Sequence, residues 1–264
     1  MNARWYGVAT ATALSLLSAP AVAGQSPQTP VLLRLAPPEG QVSRYARSVE
    51  TEMDGPMMPS SGPLVSMRLL QTQTVLGVED EVIRYRTTID STTMAIAMPG
   101  MDMVPDLAGS SFTTEFDTRG QQLRITGLES PPEVAGFSPG SLSSYFVLPE
   151  EEVSPGASWT RNAPLNMPMS PAGSAPAAEV AMTYTFVSLE GSLATLSFEG
   201  PIDIEVDMAG MGVGATGTMT GTMVVDLAEG RFRSQTTQTS LDMDMGAMTM
   251  KTISRMTMEL LPNP

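Results

Sequence analysis

The 264-residue chain has no cysteine and no histidine, a single lysine (Lys251), and only 5% aromatic residues. Without Cys or His there is no disulfide framework, zinc finger, His- or Cys-ligated haem, or thiol–imidazole pair for nucleophilic chemistry. Positive charge is scarce as well. Lys plus Arg number 14 against 28 Asp plus Glu, a net charge of −14, so few groups could neutralise phosphates and no nucleic-acid partner is expected. A general base would have to be Asp, Glu, Tyr or Lys251, and Met248 occupies the position that a Ser-x-x-Lys motif would need. No Gly-x-Ser-x-Gly, phosphate-binding Gly-Lys-Ser/Thr or dinucleotide fingerprint occurs. Paired carboxylates for glycoside hydrolysis normally sit with aromatic sugar platforms, which are scarce here. The expectation is a non-enzymatic protein with no resident cofactor.

Long apolar runs are also missing, apart from Val8 to Leu17. That run follows Arg4 and precedes Pro20 and Ala21-Val22-Ala23. The layout is that of a secretory signal peptide over 1–23, cut before Gly24, with an apolar stretch too short to span a bilayer. No Cys follows the cut to take a lipid, and Asn162 and Asn166 both fail the glycosylation pattern. Export into a bacterial periplasm or beyond is expected, with membrane association at most peripheral.

After a patternless, flexible lead over 24–30, the hydropathy period is two. Val42, Arg44, Ala46 and Ser48 alternate with Ser43, Tyr45, Arg47 and Val49, and residues 64–76 and 81–94 are rich in Thr, Val, Ile and Tyr. Such residues suit a pleated, half-buried surface. Turn signals fall at Gly77–Asp80, Asp117–Gly120, Glu190–Gly191 and Asp226–Gly230. About ten antiparallel strands follow from this spacing. The middle departs from it. Ser138-Pro139 opens a short helix near 139–147, Pro149 ends it, and residues 163–178 read as a Pro- and Ala-rich loop. Residues 31–264 form either a single β domain or two similar halves (31–127 and 179–264) joined by the excursion 128–178.

Methionine is abundant, with 22 copies. Its thioether admits two readings. It is a soft donor for Cu(I), and Met98, Met101 and Met103 or Met243 and Met245 have spacings that could supply a ligand set. It also fills irregular cores and lines adaptable apolar pockets. On a strand, Met243 and Met245, Met248 and Met250, and Met256 and Met258 would each share a face. Met219, Met223, Met248, Met250, Met256 and Met258, with Tyr145 and Phe146 closing the mouth, are the candidate lining for an apolar ligand. Asp203, Glu205 and Asp207 share one strand face and read as a solvated edge. Asp242-Met-Asp244-Met-Gly246 is a fragment of a calcium loop without its distal Glu. Glu150–Glu152 reads as a surface run, and Trp159 as a core or cap residue.

Leu148-Pro149, Val153-x-x-Gly156-x-x-Trp159, the long strands after them and the late hairpin through Asp226 to Gly230 resemble an exported bacterial all-β family of unknown function. The resemblance implies an all-β fold and carries over no functional residue. The architecture is also similar, remotely, to periplasmic carriers of the lipoprotein-carrier type, which hold acyl chains in a half-open barrel. The expected fold is all-β: a long-stranded, curved antiparallel sheet or open barrel with a short helix, its concave side apolar and chemically inert. The expected role is to bind or carry an apolar, lipid-like small molecule. Cu(I) binding, and a structural or interaction module with a filled core, are the alternatives.

Overall fold

The computed structural model of the protein describes residues 29–55, 62–97, 107–127, 146–165, 178–208, 211–244 and 249–262. Among these, eleven strands form one antiparallel sheet: β1 (Val42–Asp54), β2 (Val65–Glu79), β3 (Val82–Ile96), β4 (Ser111–Asp117), β5 (Gln122–Thr126), β6 (Ser158–Leu165), β7 (Ala178–Glu190), β8 (Leu193–Met208), β9 (Met211–Asp226), β10 (Arg231–Asp244) and β11 (Thr249–Leu260). Eight of them run 12–16 residues, or about 40–50 Å at roughly 3.3 Å per residue. The expectation of an all-β, long-stranded antiparallel sheet holds. The helix expected near 139–147 lies outside the described residues up to Tyr145, and Phe146 and Val147 are neither helix nor strand.

The spatial order is β5-β4-β3-β2-β1-β11-β10-β9-β8-β7-β6. Two meanders, β1 to β5 and β6 to β11, thus meet along a seam between β1 and β11, where Tyr45 faces Leu260 and Asp54 faces Lys251. The sheet is open, with β5 and β6 as its outer strands. Register shifts at Leu70/Gln71, Val75/Gly77, Glu115/Phe116, Phe186/Ser188 and Phe232/Ser234 bend the strands, because an extra residue on one strand increases local coiling. In β9 the small residues have a packing reason. A Cβ on Gly217 would collide with the Ser240 carbonyl, and one on Gly221 with the Thr236 carbonyl and the Phe198 ring. Glycine there lets β10 and an inward ring press against the β9 backbone.

One turn differs from its expected position. The β2–β3 hairpin turns at Asp80 and Glu81, both left-handed (φ 50° and 63°), while Gly77 lies inside β2 opposite Arg84. The Asp117, Glu190 and Asp226 turns fall where their sequences place them. Asp226 organises its own: Oδ1 accepts from the Ala228 and Glu229 amides and from Ser192 Oγ, and Oδ2 accepts from Arg233.

At the end of the sheet that carries these turns, two straps cross. Val31 pairs with Val153 through two backbone hydrogen bonds of 2.9 and 3.0 Å, and the Leu35 amide donates to the Thr118 carbonyl. The Leu148 amide donates to the Arg119 carbonyl in the β4–β5 turn, while Trp159 Nε1 at the start of β6 donates to the Val147 carbonyl at 2.8 Å. Glu150 Oε1 then accepts from Arg119 and Arg161 at 2.8 and 2.9 Å. Both outer ends of the sheet are therefore tied to one segment, residues 146–150, which curls the sheet towards closure without strand pairing. Leu33, Leu35, Phe146 and Leu148 on these straps belong to the same buried core as Tyr184, Phe186 and Leu196. Each such side chain contributes about 1.5–3 kcal/mol. Phe146 lies edge-on to Phe232, and its ring occupies the space that a Cβ on Gly120 (φ 88°) would need.

Candidate functional site

Cross-strand register places side chains of one parity on the concave face. In one row Leu69, Arg47, Met258, Gln235, Met223, Leu196 and Phe186 stand side by side from β2 to β7. The next row runs Met67, Val49, Met256, Thr237, Gly221, Phe198, Tyr184 and Trp159. Every methionine whose side chain is described lies on this inner face: Met53, Met67 and Met94 on β1–β3, Met182, Met219 and Met223 on β7 and β9, and Met243, Met250, Met256 and Met258 on the β10–β11 hairpin. The outward face is polar. Hydroxyl pairs such as Ser48–Thr257, Thr222–Thr236 and Thr88–Ser111 join neighbouring strands at 2.7–2.9 Å, and Arg255 pairs with Glu52 at 2.7 Å.

The inner face is not uniformly oily, which corrects the expected inert interior. One apolar cluster gathers the straps and β7–β10, and a second comprises Met67, Leu69, Ile89, Leu107 and Phe112. Along the central strands β1–β3, β10 and β11 lies a buried polar belt. Arg47 is 4% exposed, Gln71 2%, Gln235 1%, Thr87 1% and Thr252 2%. Arg47 Nη2 donates to Met258 Sδ at 3.5 Å, and Gln235 Nε2 to Thr237 Oγ1 at 3.3 Å. Gln71 Oε1, Gln235 Oε1, Thr87 Oγ1 and Thr252 Oγ1 have no hydrogen-bond partner among the described residues. Buried polar atoms in that state are few in native proteins, and each calls for an explanation such as water, an ion or a ligand.

Beside this belt is a cavity of about 40 Å³ with Ser43, Tyr45, Arg47, Arg231, Phe232 and Met258 in its lining together with Leu35, Val75, Tyr85 and Phe116. The Tyr45 hydroxyl donates to the Phe232 carbonyl at 3.2 Å. Burial pushes this phenol up to about 12, against the smaller opposing effects of the Ser43 hydrogen bond and the Arg231 and Arg233 charges. Burial raises Tyr85 and Tyr184 further. Arg231 donates to Ser43 Oγ at 2.9 Å and pairs with Glu229.

Of the candidate ligand residues, Met219, Met223, Met250, Met256 and Met258 share the inner face, and Phe146 is buried at the strapped end. Met248 and Tyr145 lie outside the described residues. Of the candidate metal set, Met98, Met101, Met103 and Met245 also lie outside, while Met243 is buried on the inner face with Met250 directly across. Asp203 and Glu205 are exposed, as are Asp242 and Asp244, on the face opposite the buried Ile202, Leu241 and Met243. Among the described residues no group of three acidic side chains is placed to hold a metal ion. Trp159 stacks on Tyr184 at 5.8 Å and 15° while bonding the strap, combining the core and cap roles. Arg47, Gln71 and Gln235 did not stand out in the sequence. For Arg47 the available signal was parity, since it alternates in step with Tyr45 and Val49.

Fold and face together define a long-stranded, open and curled β-sheet protein with a methionine-lined interior and a polar belt. Residues 140–231 match a family of unknown function, DUF6263. The Leu148–Trp159 segment and the Asp226–Gly230 turn, on which the resemblance rests, both fall inside that span. No curated protein matches the sequence. Among solved structures the chain is similar to one described as showing lipid–protein interactions in lipovitellin, at a TM-score of 0.46 and 10% identity, over 85% of this chain and 25% of that one. The chain thus spans a quarter of that protein's length.

Proposed function

We infer that this is an exported, non-enzymatic protein of the bacterial envelope that binds an apolar, lipid-like guest along its inner face. The observation that carries the reading is the inward orientation of every methionine whose side chain is described, on an open sheet whose two ends are tied by straps and not by strand pairing. Unbranched thioethers re-pack around guests of different shape at little cost, and sheet ends held only by the straps can part without breaking a β-ladder. The cavity of about 40 Å³ suits water-sized groups, so an acyl chain enters by displacing methionine side chains as the two outer strands separate. Native mass spectrometry of protein purified from its host is expected to show co-purifying lipid, and the delipidated protein is expected to take up a fluorescent fatty acid. A clean apo mass together with no uptake removes the reading in favour of a structural module. A second reading, Cu(I) binding, is favoured by the register pairing of Met243 with Met250. Failure to compete with a Cu(I) chelator removes it.

A further inference from the structure

The two outer ends of the sheet are not held alike. β4 and β5 are its shortest strands, at 7 and 5 residues, and no side chain of β5 is buried. β4 buries only Phe112 and Thr114, and Phe112 belongs to the smaller apolar cluster, apart from the one that holds the straps. A hairpin with so little buried surface sits at the low-stability end of a structure. What fixes it is its tip. The Leu35 amide donates to the Thr118 carbonyl and the Leu148 amide to the Arg119 carbonyl, both at 2.8 Å, and Arg119 Nη1 reaches Glu150 Oε1. Gly120 lies against the Phe146 ring with no room for a Cβ. Asp117 preforms the tip, its Oδ1 accepting from the Arg119 and Gln121 amides, and the Thr118 amide donates to Glu81 in the adjoining turn.

The strap of residues 146–150 has other anchors. Phe146 and Leu148 are 2% and 0% exposed. Trp159 Nε1 donates to the Val147 carbonyl, Arg161 to Glu150 Oε1, and Arg34 to the Pro149 and Glu150 carbonyls at 2.6 and 2.7 Å. A tip that lets go therefore leaves this strap seated on β6. Behind the tip is the cavity. Phe116, next to Asp117, and Leu35, bonded to Thr118, are both in its lining, as is Met258, whose neighbour along β11 on the inner face is Met256. We propose that the β4–β5 hairpin is the door to the inner face and its tip a clasp: release of Asp117–Gln121 from the straps swings Phe116 away from Leu35 and opens the cavity towards the methionines. The proposal rests on the binding reading above and places entry on the β5 side, with β6 and its strap fixed. Uptake and release then pass through the same opening, so loosening the clasp speeds both and leaves affinity unchanged.

The test uses the full mature chain in two measurements: amide hydrogen exchange by mass spectrometry, and stopped-flow uptake and release of a pyrene-labelled long-chain fatty acid. Glu150→Gln removes the charge that Arg119 meets, and Gly120→Ala puts a methyl group where the Phe146 ring lies, at a φ of 88°. Exchange over residues 111–126 is expected to rise about two- to fivefold in Glu150→Gln, the range that exposed ion pairs span. In Gly120→Ala it is expected to rise about tenfold, with residues 193–226 unchanged and the emission of Trp159 unshifted. Uptake and release are expected to speed up by the same factors, with the affinity held within about twofold. Unchanged exchange over 111–126 in both variants overturns the clasp, and so does equal acceleration over 193–226. A shifted Trp159 emission in Gly120→Ala shows the strap leaving β6 and overturns the assignment of the door. Faster hairpin exchange with unaltered uptake and release overturns the door while the binding reading stands. Absence of probe binding to the native chain removes the binding reading and the door with it, and the exchange data alone then decide the clasp.

Discussion

The straps give the clearest test of the structure, because a chain without cysteine accepts an engineered bridge with no competing thiol. Val31 and Val153 form an isolated antiparallel pair that exchanges both backbone hydrogen bonds. Cα atoms in such a pair lie about 5.5 Å apart, inside the roughly 4.4–6.8 Å range that disulfides use. In Val31→Cys/Val153→Cys the bridge closes a loop of about 120 residues, for which chain entropy predicts up to about 4–5 kcal/mol of stabilisation at 25 °C. Lost packing of the two half-buried valines, about 1 kcal/mol each, reduces that to a net of about 2–3 kcal/mol. Guanidinium denaturation with and without reductant measures it: the oxidised form is expected to show the higher midpoint, and reduction to abolish the gain. Thiols that stay free under mild oxidant would place Val31 away from Val153 and refute the strapped end. A bridge that forms without shifting the midpoint would show that the strap is not part of the cooperative unit.

Asp226→Asn keeps the shape of the β9–β10 turn but turns an amide N–H towards Arg233. Because Arg233 is 42% exposed, the ion pair is worth little by itself, and the expected loss of about 1–3 kcal/mol comes from hydrogen bonds to the carboxylate. Burial alone would raise this carboxyl, but the hydrogen bonds from Arg233, Ser192 and the Glu229 amide outweigh it and hold it below 3.8. Its stabilisation is therefore complete above that pH and lost as pH falls through the folded value, so the acid side of the stability profile should flatten in the variant. Asp80→Asn/Glu81→Gly supplies the residues that a left-handed two-residue turn prefers, and should raise stability by about 1 kcal/mol or more in denaturant titrations. The buried tyrosines act at the other end of the pH scale. Tyr45 is held at about 12 and Tyr85 and Tyr184 are raised as well, so the unfolded chain loses its phenolic protons first. Stability should be flat up to about pH 10 and fall above it, with the tyrosinate absorbance appearing together with unfolding rather than before it.

Much of the sheet was legible because period-two hydropathy and Asp-to-Gly turns are local signals. The hairpins at Asp117 and Asp226 needed only a few adjacent residues. The β2–β3 turn was displaced because a left-handed pair without glycine, Asp80 and Glu81, leaves no compositional mark, whereas nearby Gly77 does. The shared parity of Met256 and Met258 followed from strand geometry, but which parity faces inward depends on the partner strands. The belt was hidden for a related reason: arginine and glutamine read as solvent-facing, and only register with Leu69, Met258 and Met223 places Arg47 and Gln235 inside. Glu150 read as a surface charge. It is one, but its role as a tie between Arg119 and Arg161 depends on residues brought together by the curl.

The seam between β1 and β11 has a consequence for how the chain assembles. Each meander zips from neighbouring hairpins, whereas Tyr45 and Leu260 must meet across more than 200 intervening positions. High contact order slows such a step. Until it is complete, two half-sheets each present a long, unsatisfied backbone ladder at what becomes the centre of the molecule. Those ladders are complementary between copies as well as within one. Crowded nascent chains would therefore exchange halves into swapped dimers, and dilution during refolding should favour the monomer.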